Sequence, residues 1–196
     1  MIVKKNNRKD NPEKIALLGI KPGVGVTHMA IIIAEFLKEK TGAKVAVIER
    51  NHHGDIERLG NTIYGFSETK FTFRGVDYYQ MNKAEESLWK SEQDYDYLIL
   101  DFGTQKKKNL KELEQCEKKV IIGTLSLWEW QEYLRAAEYY KENIKEETIR
   151  YVVSLGNEKL VSKIEKRLRG RVCLLGPQFI GKTLSKEAEQ FFYTLI

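Results

Sequence analysis

The chain has 196 residues, 42% of them hydrophobic, and a formal net charge of +5. That suffices for one good core, falls short of two typical domains and excludes wholesale disorder. The mild positive excess permits contact with nucleic acid or acidic lipid without arguing for either. Its cysteines, Cys116 and Cys173, lie far apart without metal-type spacing, which suits a reduced, cytosolic setting.

Residues 1–13 read as a polar, basic leader ahead of a single domain over residues 14–196. The leader is too polar for a signal peptide, and no run reaches the length of a membrane span. Lys14–Ile20 is an apolar run that predicts a buried strand. It feeds the glycine-rich turn Lys21-Pro22-Gly23-Val24-Gly25-Val26-Thr27-His28. Beyond it, Met29, Ile32, Ile33, Phe36 and Leu37 fall on one helical face, and Thr41-Gly42 closes the helix. Strand, glycine loop and helix in that order is how an α/β chain holds phosphates. The loop amides and the positive end of the helix dipole converge on an anion.

Lys44–Glu49 predicts a second strand, apolar on both faces as a buried parallel strand should be. His52-His53-Gly54-Asp55 reads as a polar loop rather than a metal cluster: adjacent histidines on extended chain point apart, and no third ligand follows at suitable spacing. Residues 60–82 are aromatic and alternating. Phe71–Tyr79 predicts a small hairpin or an extended edge excursion covering one end of the sheet, with base stacking as the alternative use of its Arg and aromatic side chains. Residues 83–91 predict a short helix. Tyr95–Leu100 predicts a strand that ends at Asp101-Phe102-Gly103, and residues 104–119 an amphipathic helix with a lysine-rich start. After the strand Val120–Leu125, Ser126-Leu127-Trp128-Glu129 has capping-box form and predicts a helix from Ser126 to about Asn143. Its aromatic surface, Trp128 included, suits a core, in part a protein interface. Arg150–Leu155 and Val172–Leu175 predict strands flanking a helix with a basic exposed face (Lys159, Lys163, Lys166, Arg167, Arg169). A closing helix runs from about Leu184 to the end. The alternation predicts a three-layer α/β/α fold on a mostly parallel sheet, with ligands beyond the carboxyl ends of the strands.

Lys21–His28 resembles the deviant phosphate loop (Walker A) of the ParA/MinD group of P-loop ATPases, K-G-G-x-G-K-[ST]-[ST]. The resemblance makes Lys21 the signature lysine, which in that group reaches the nucleotide of a dimer partner. It makes Thr27 the hydroxyl that meets Mg²⁺. Val26 stands where the loop's own lysine belongs. Asp101 resembles the Walker B carboxylate of the Mg²⁺ shell. Glu49-Arg50-Asn51 falls where the group carries Asp-x-Asp, so Asn51 lacks the second carboxylate. Gly176-Pro177 resembles the late loop that borders adenine, and either Ser154 or Asn157 matches the base-contacting asparagine. The resemblance thus implies ATP held by residues 21–28 and Pro177, with Mg²⁺ at Thr27 and Asp101, in a P-loop NTPase-like fold. It implies a cytoplasmic homodimer that positions protein cargo or machinery. Val26 and Asn51 predict weak or absent hydrolysis. Two alternatives stand beside this: an active ATPase that relies on Lys21, and a nucleotide-free module contacting DNA, acidic membrane or protein through the basic faces.

Gly176–Thr183 matches G-x-x-x-x-G-K-[ST] letter for letter. It is set aside as the phosphate loop. Too few residues follow Thr183 to supply a later strand with its aspartate, and Pro177, Phe179 and Ile180 are stiff or bulky where amides must be open.

Overall fold

The apolar runs of the sequence lie side by side as strands, joined by helices. The structure is a computed structural model that describes residues 11–65, 69–80, 92–104, 110–176, 178 and 180–196. In chain order the elements are β1 (Glu13–Gly19), α1 (Val26–Thr41), β2 (Val45–Glu49), α2 (Asp55–Tyr64), β3 (Lys70–Phe73), β4 (Val76–Tyr79), β5 (Tyr97–Asp101) and α3 (Leu110–Glu114). They continue with β6 (Lys118–Thr124), α4 (Trp130–Asn143), β7 (Ile149–Leu155), α5 (Glu158–Leu168), β8 (Val172–Leu174) and α6 (Lys186–Phe192).

The eight strands form one sheet in the order β3-β4-β2-β5-β1-β6-β7-β8. All pairings are parallel except β3 against β4. That exception is the hairpin expected over residues 71–79, turned by Arg74 and Gly75, both at positive φ as a two-residue hairpin turn requires. The central strands β1, β2, β5 and β6 are almost wholly buried, which is why they read as unbroken apolar runs. The chain moves one way along the sheet from β1 to β2 and the other way from β6 through β7 to β8. With right-handed crossovers, α1 therefore covers one face and α4 and α5 the other, giving three layers. The closing helix joins α1 on its side: the Phe36 ring meets Phe192 at 5.4 Å and Tyr193 at 5.2 Å, edge to face.

Several boundaries differ from expectation. β1 begins at Glu13, inside the stretch read as leader. Helix α4 begins at Trp130 rather than Ser126, because the Glu129 side chain is used elsewhere. Trp128 is 80% exposed rather than packed in the core. Within the charge-dense stretch over residues 104–119 the described part holds a helix at Leu110–Glu114, and residues 105–109 lie outside the described residues. The helix expected over 83–91 also lies outside them. Helix α6 begins at Lys186, two residues past Leu184, where Ser185 caps it through the Ala188 amide at 3.1 Å. No described helix is long and apolar enough to cross a membrane.

Strand order places β1 between β5 and β6, so chain direction switches beside its carboxyl end. Crevices for ligands open at such points. The glycine loop leaves β1 there. Gly19, the last residue of β1, lies under that loop: a Cβ on it would sit 2.7 Å from Val26 Cγ2 and 2.9 Å from Val24 Cγ2. Gly19→Ala should therefore cost about 1–3 kcal/mol through overpacking, read as a lowered urea midpoint with an unchanged slope.

Candidate functional site

The loop between β1 and α1 takes its shape from its glycines. Gly25 sits at φ 90° as the N-terminal cap of α1, a conformation closed to most side chains. Gly25 has no side chain with which to cap this helix end, so its leading amides face the loop. Pro22 and Gly23 are exposed, and Val24 is buried. Val26, the first residue of the helix, is only 7% exposed and packs over Gly19 as part of the core. An aliphatic group thus occupies the position nearest the anion-binding end of the helix.

Thr27 points across to β5. Its hydroxyl donates to Asp101 Oδ2 at 2.6 Å and lies 3.3 Å from Asp55 Oδ2. The register explains the meeting: Glu49 of β2 pairs with Asp101 of β5, which sets both carboxylates level at the carboxyl edge. Asp101 is fully buried. Its other oxygen accepts from the Gly103 amide at 2.9 Å and from Asn51 Nδ2 at 3.0 Å. Burial pushes the Asp101 carboxyl up from its ordinary range, while the Thr27 and Gly103 bonds pull it partly back. Burial likewise raises Glu49, which accepts from the Asp55 amide at 2.8 Å.

Asn51 is fully buried and its amide is fully used. Nδ2 donates to the carbonyl and the carboxylate of Asp101, both at 3.0 Å, and Oδ1 accepts from the His53 amide at 2.9 Å. It braces Asp101. His52 and His53 lie exposed on the same loop.

Lys21 forms an ion pair with Glu129, on the turn after β6. Glu129 Oε2 also accepts from Thr124 Oγ1 at 3.0 Å. The Lys21 ammonium holds the Glu129 carboxyl below its usual range. His28 Nε2 is 2.7 Å from the carbonyl of Gln178, tying α1 to the C-terminal loop. Ser154 brings its hydroxyl to the Val24 carbonyl at 3.3 Å. Asn157 instead caps α5, accepting from the Lys159 amide at 2.8 Å. Of the two candidates for a base contact, Ser154 lies against the loop. Pro177 is outside the described residues.

The C-terminal G-x-x-x-x-G-K-T stretch has different surroundings. No helix starts behind Lys182-Thr183, and the Gly181 amide donates to Glu35 Oε2 at 3.0 Å. A carboxylate of the chain itself takes the amide that an anion would need, and Arg74 Nε stands 2.9 Å from Glu35 Oε1.

The donors gathered at Thr27 are hydroxyl and carboxylate oxygens, which suit a hard cation such as Mg²⁺. Among the described residues no group of three or more His, Cys, Asp or Glu side chains makes a metal centre alone. A Mg²⁺ ion here would need further oxygens from a ligand, as Mg²⁺ bound with phosphates does. Sequence reading missed two participants. Asp55 looked like loop polarity, and Glu129 looked like half of a helix cap.

Comparison with known proteins bears on the fold. No family model and no curated protein matches the chain. Among solved structures, a ParA family ATPase from Chlorobium tepidum superposes with a TM-score of 0.56 at 17% identity, covering 94% of this chain and 90% of its own. A plasmid partition protein from Borrelia burgdorferi, bound to AMPPNP, gives 0.59 at 17% identity, over 94% of this chain and 96% of its own. The MinD cell division protein of Aquifex aeolicus gives 0.61 at 17% identity, over 85% and 83%. At these identities the likeness concerns the fold.

Two substitutions probe the carboxylate cluster. Asp101→Asn removes a buried charge that the fold disfavours and keeps partners for both side-chain atoms. Because the folded state raises the Asp101 pKa, its carboxylate lowers stability above that raised value and costs nothing below the unfolded value. Asp101→Asn should thus raise the melting temperature at pH 8, with the gain shrinking as pH falls into the carboxylate range. Asn51→Asp should do the reverse, losing about 3 kcal/mol at pH 8 by exchanging a donor for a carboxylate buried against that of Asp101. Thermal melts across pH check both signs. The sequence-and-fold conclusion to which these observations lead is that the chain has the α/β/α architecture of ParA- and MinD-type P-loop proteins.

Proposed function

We propose that this protein is a ParA/MinD-like nucleotide-binding positioning or scaffold protein that hydrolyses ATP weakly or not at all. The observation that carries this reading is the Thr27–Asp101 contact beside the open amides of α1. It brings a hydroxyl and a carboxylate to the mouth of an uncapped helix. Residues 21–28 would take the phosphates, and Thr27 and Asp101 would hold Mg²⁺. The ion would offset phosphate charge and supply the electrophilic pull that phosphoryl transfer uses. Backbone amides orient the phosphates. Ser154 and the C-terminal loop around Gln178 border the base side.

The reading of weak hydrolysis rests on two side chains. Val26 offers no ammonium to stabilise charge as it shifts in a transition state. Asn51 spends its amide nitrogen on Asp101 and offers no carboxylate to a water molecule. Such a protein works by occupancy rather than turnover. It would act in the cytoplasm as a homodimer whose nucleotide-bound form holds protein cargo or machinery. The exposed basic face of α5 would offer a second contact, to DNA or an acidic membrane.

Isothermal titration with Mg²⁺-ATP is the test. Saturable binding with phosphate release near background is expected. Val26→Lys should tighten binding by about ten- to a hundredfold, the worth of one to two charge-assisted bonds, and should raise phosphate release more than affinity. No binding at millimolar ATP would leave only an interaction module. Brisk turnover abolished by Lys21→Ala would show an active ATPase instead.

A further inference from the structure

Ser126-Leu127-Trp128-Glu129 is written as a capping box, in which the glutamate turns back onto the serine amide and starts a helix. Glu129 does something else. One carboxylate oxygen pairs with Lys21 and the other accepts from Thr124 Oγ1. Helix α4 starts only at Trp130. The four residues before it form a turn closed by stretched bonds from the Glu129 and Trp130 amides to the Ser126 carbonyl, at 3.2 and 3.3 Å. Ser126 Oγ is buried and completes no hydrogen bond. Leu127 and Trp128, in the middle of the turn, are 79% and 80% exposed.

One carboxylate therefore serves two competing positions. At the loop it neutralises Lys21, and at the helix start it would satisfy an amide. Which position wins depends on whether Lys21 has another anion. We propose that the Lys21–Glu129 ion pair is a latch, in which Glu129 stands in for phosphate at Lys21 until a nucleoside triphosphate takes that lysine away. Release frees Glu129 to complete the capping box, lengthens α4 by the 126–129 turn and carries Leu127 and Trp128 to a new position. The proposal rests on the nucleotide reading above and gives that site its regulation: occupancy of the loop is reported by an apolar turn on the molecular surface.

The energetics suit a latch. The pair is partly exposed, with side chains 29% and 19% accessible, so solvent screens it and its opening is cheap. A triphosphate carries several negative charges against one on Glu129, and the amides of α1 add their own pull. The pair is thus strong enough to hold Lys21 when no polyanion competes and weak enough to yield when one does.

The test titrates Mg²⁺-ATP into the full chain as wild type, Glu129→Gln, Lys21→Ala and the double variant. Removing the latch should tighten binding about three- to tenfold, and the gain should vanish in the Lys21→Ala background. Binding by Glu129→Gln where the wild type shows none also supports the latch. Binding that Glu129→Gln leaves unchanged overturns the latch alone. So does a gain that persists undiminished without Lys21, since that would report only general electrostatics. No binding by any of the four overturns the nucleotide reading and the latch together. The turn has its own reporter. With Trp89→Phe and Trp130→Phe, Trp128 is the remaining tryptophan. Its emission should shift on saturation with ATP, and should start shifted in Glu129→Gln. Unchanged emission at saturation overturns the coupling to the turn.

Discussion

The hydroxyl of Thr27 and the carboxylate of Asp101 meet at 2.6 Å, linking the start of α1 to the end of β5. These residues are far apart in sequence, and only a parallel sheet with β1 beside β5 brings them together. The contact fixes how the glycine loop leaves the sheet and where the helix dipole points. It also sets the electrostatic character of this carboxyl edge of the sheet. A buried carboxylate at a sheet edge is costly unless donors surround it, and Thr27, Asn51 and Gly103 provide them. A cation arriving with phosphates would meet the same oxygens, so the contact that positions the glycine loop is also one that a Mg²⁺-nucleotide would use.

Within that framework, little positive side-chain charge is free near the loop. Val26 puts an apolar group where it packs into the core over Gly19, and Lys21 is turned towards Glu129. The anion-attracting part of the site is therefore mostly backbone: amides and a helix terminus. Backbone dipoles bind a polyanion well but change little as charge moves during bond breaking. Charged side chains that tighten in the transition state are what separate a binding site from a catalytic one. On the proposed reading the site would rely on the first kind of interaction and little on the second.

Much of the architecture was legible in the sequence because it is written in local terms. Unbroken apolar runs mark central parallel strands, and a 3.6-residue period marks α1. Gly42, at φ 69°, ends that helix as read, donating its amide to Lys38. The hairpin was legible from alternation and from Arg74-Gly75 between its strands. The parts that were not legible are set by distant partners. Glu129 looked like a helix cap because its neighbours have capping-box form, but Lys21, 108 residues away, takes its carboxylate. Asp55 looked like one polar residue among several, and nothing near it in sequence announces Thr27. The carbonyl that receives His28 belongs to Gln178, 150 residues on, and a carbonyl leaves no mark in a sequence at all. The C-terminal G-x-x-x-x-G-K-T shows the opposite error that pattern alone invites. Its letters fit, but a phosphate loop needs a helix directly behind it, and there the chain stays irregular until Lys186.

The most direct test of the central claim is a crystal structure grown with Mg²⁺ and a non-hydrolysable ATP analogue. The account predicts β- and γ-phosphates on the amides of residues 23–27, with Mg²⁺ between them and the oxygens of Thr27 and Asp101. Nucleotide seated against Lys182, or crystals soaked to saturation with the 20–28 loop bare, would contradict it.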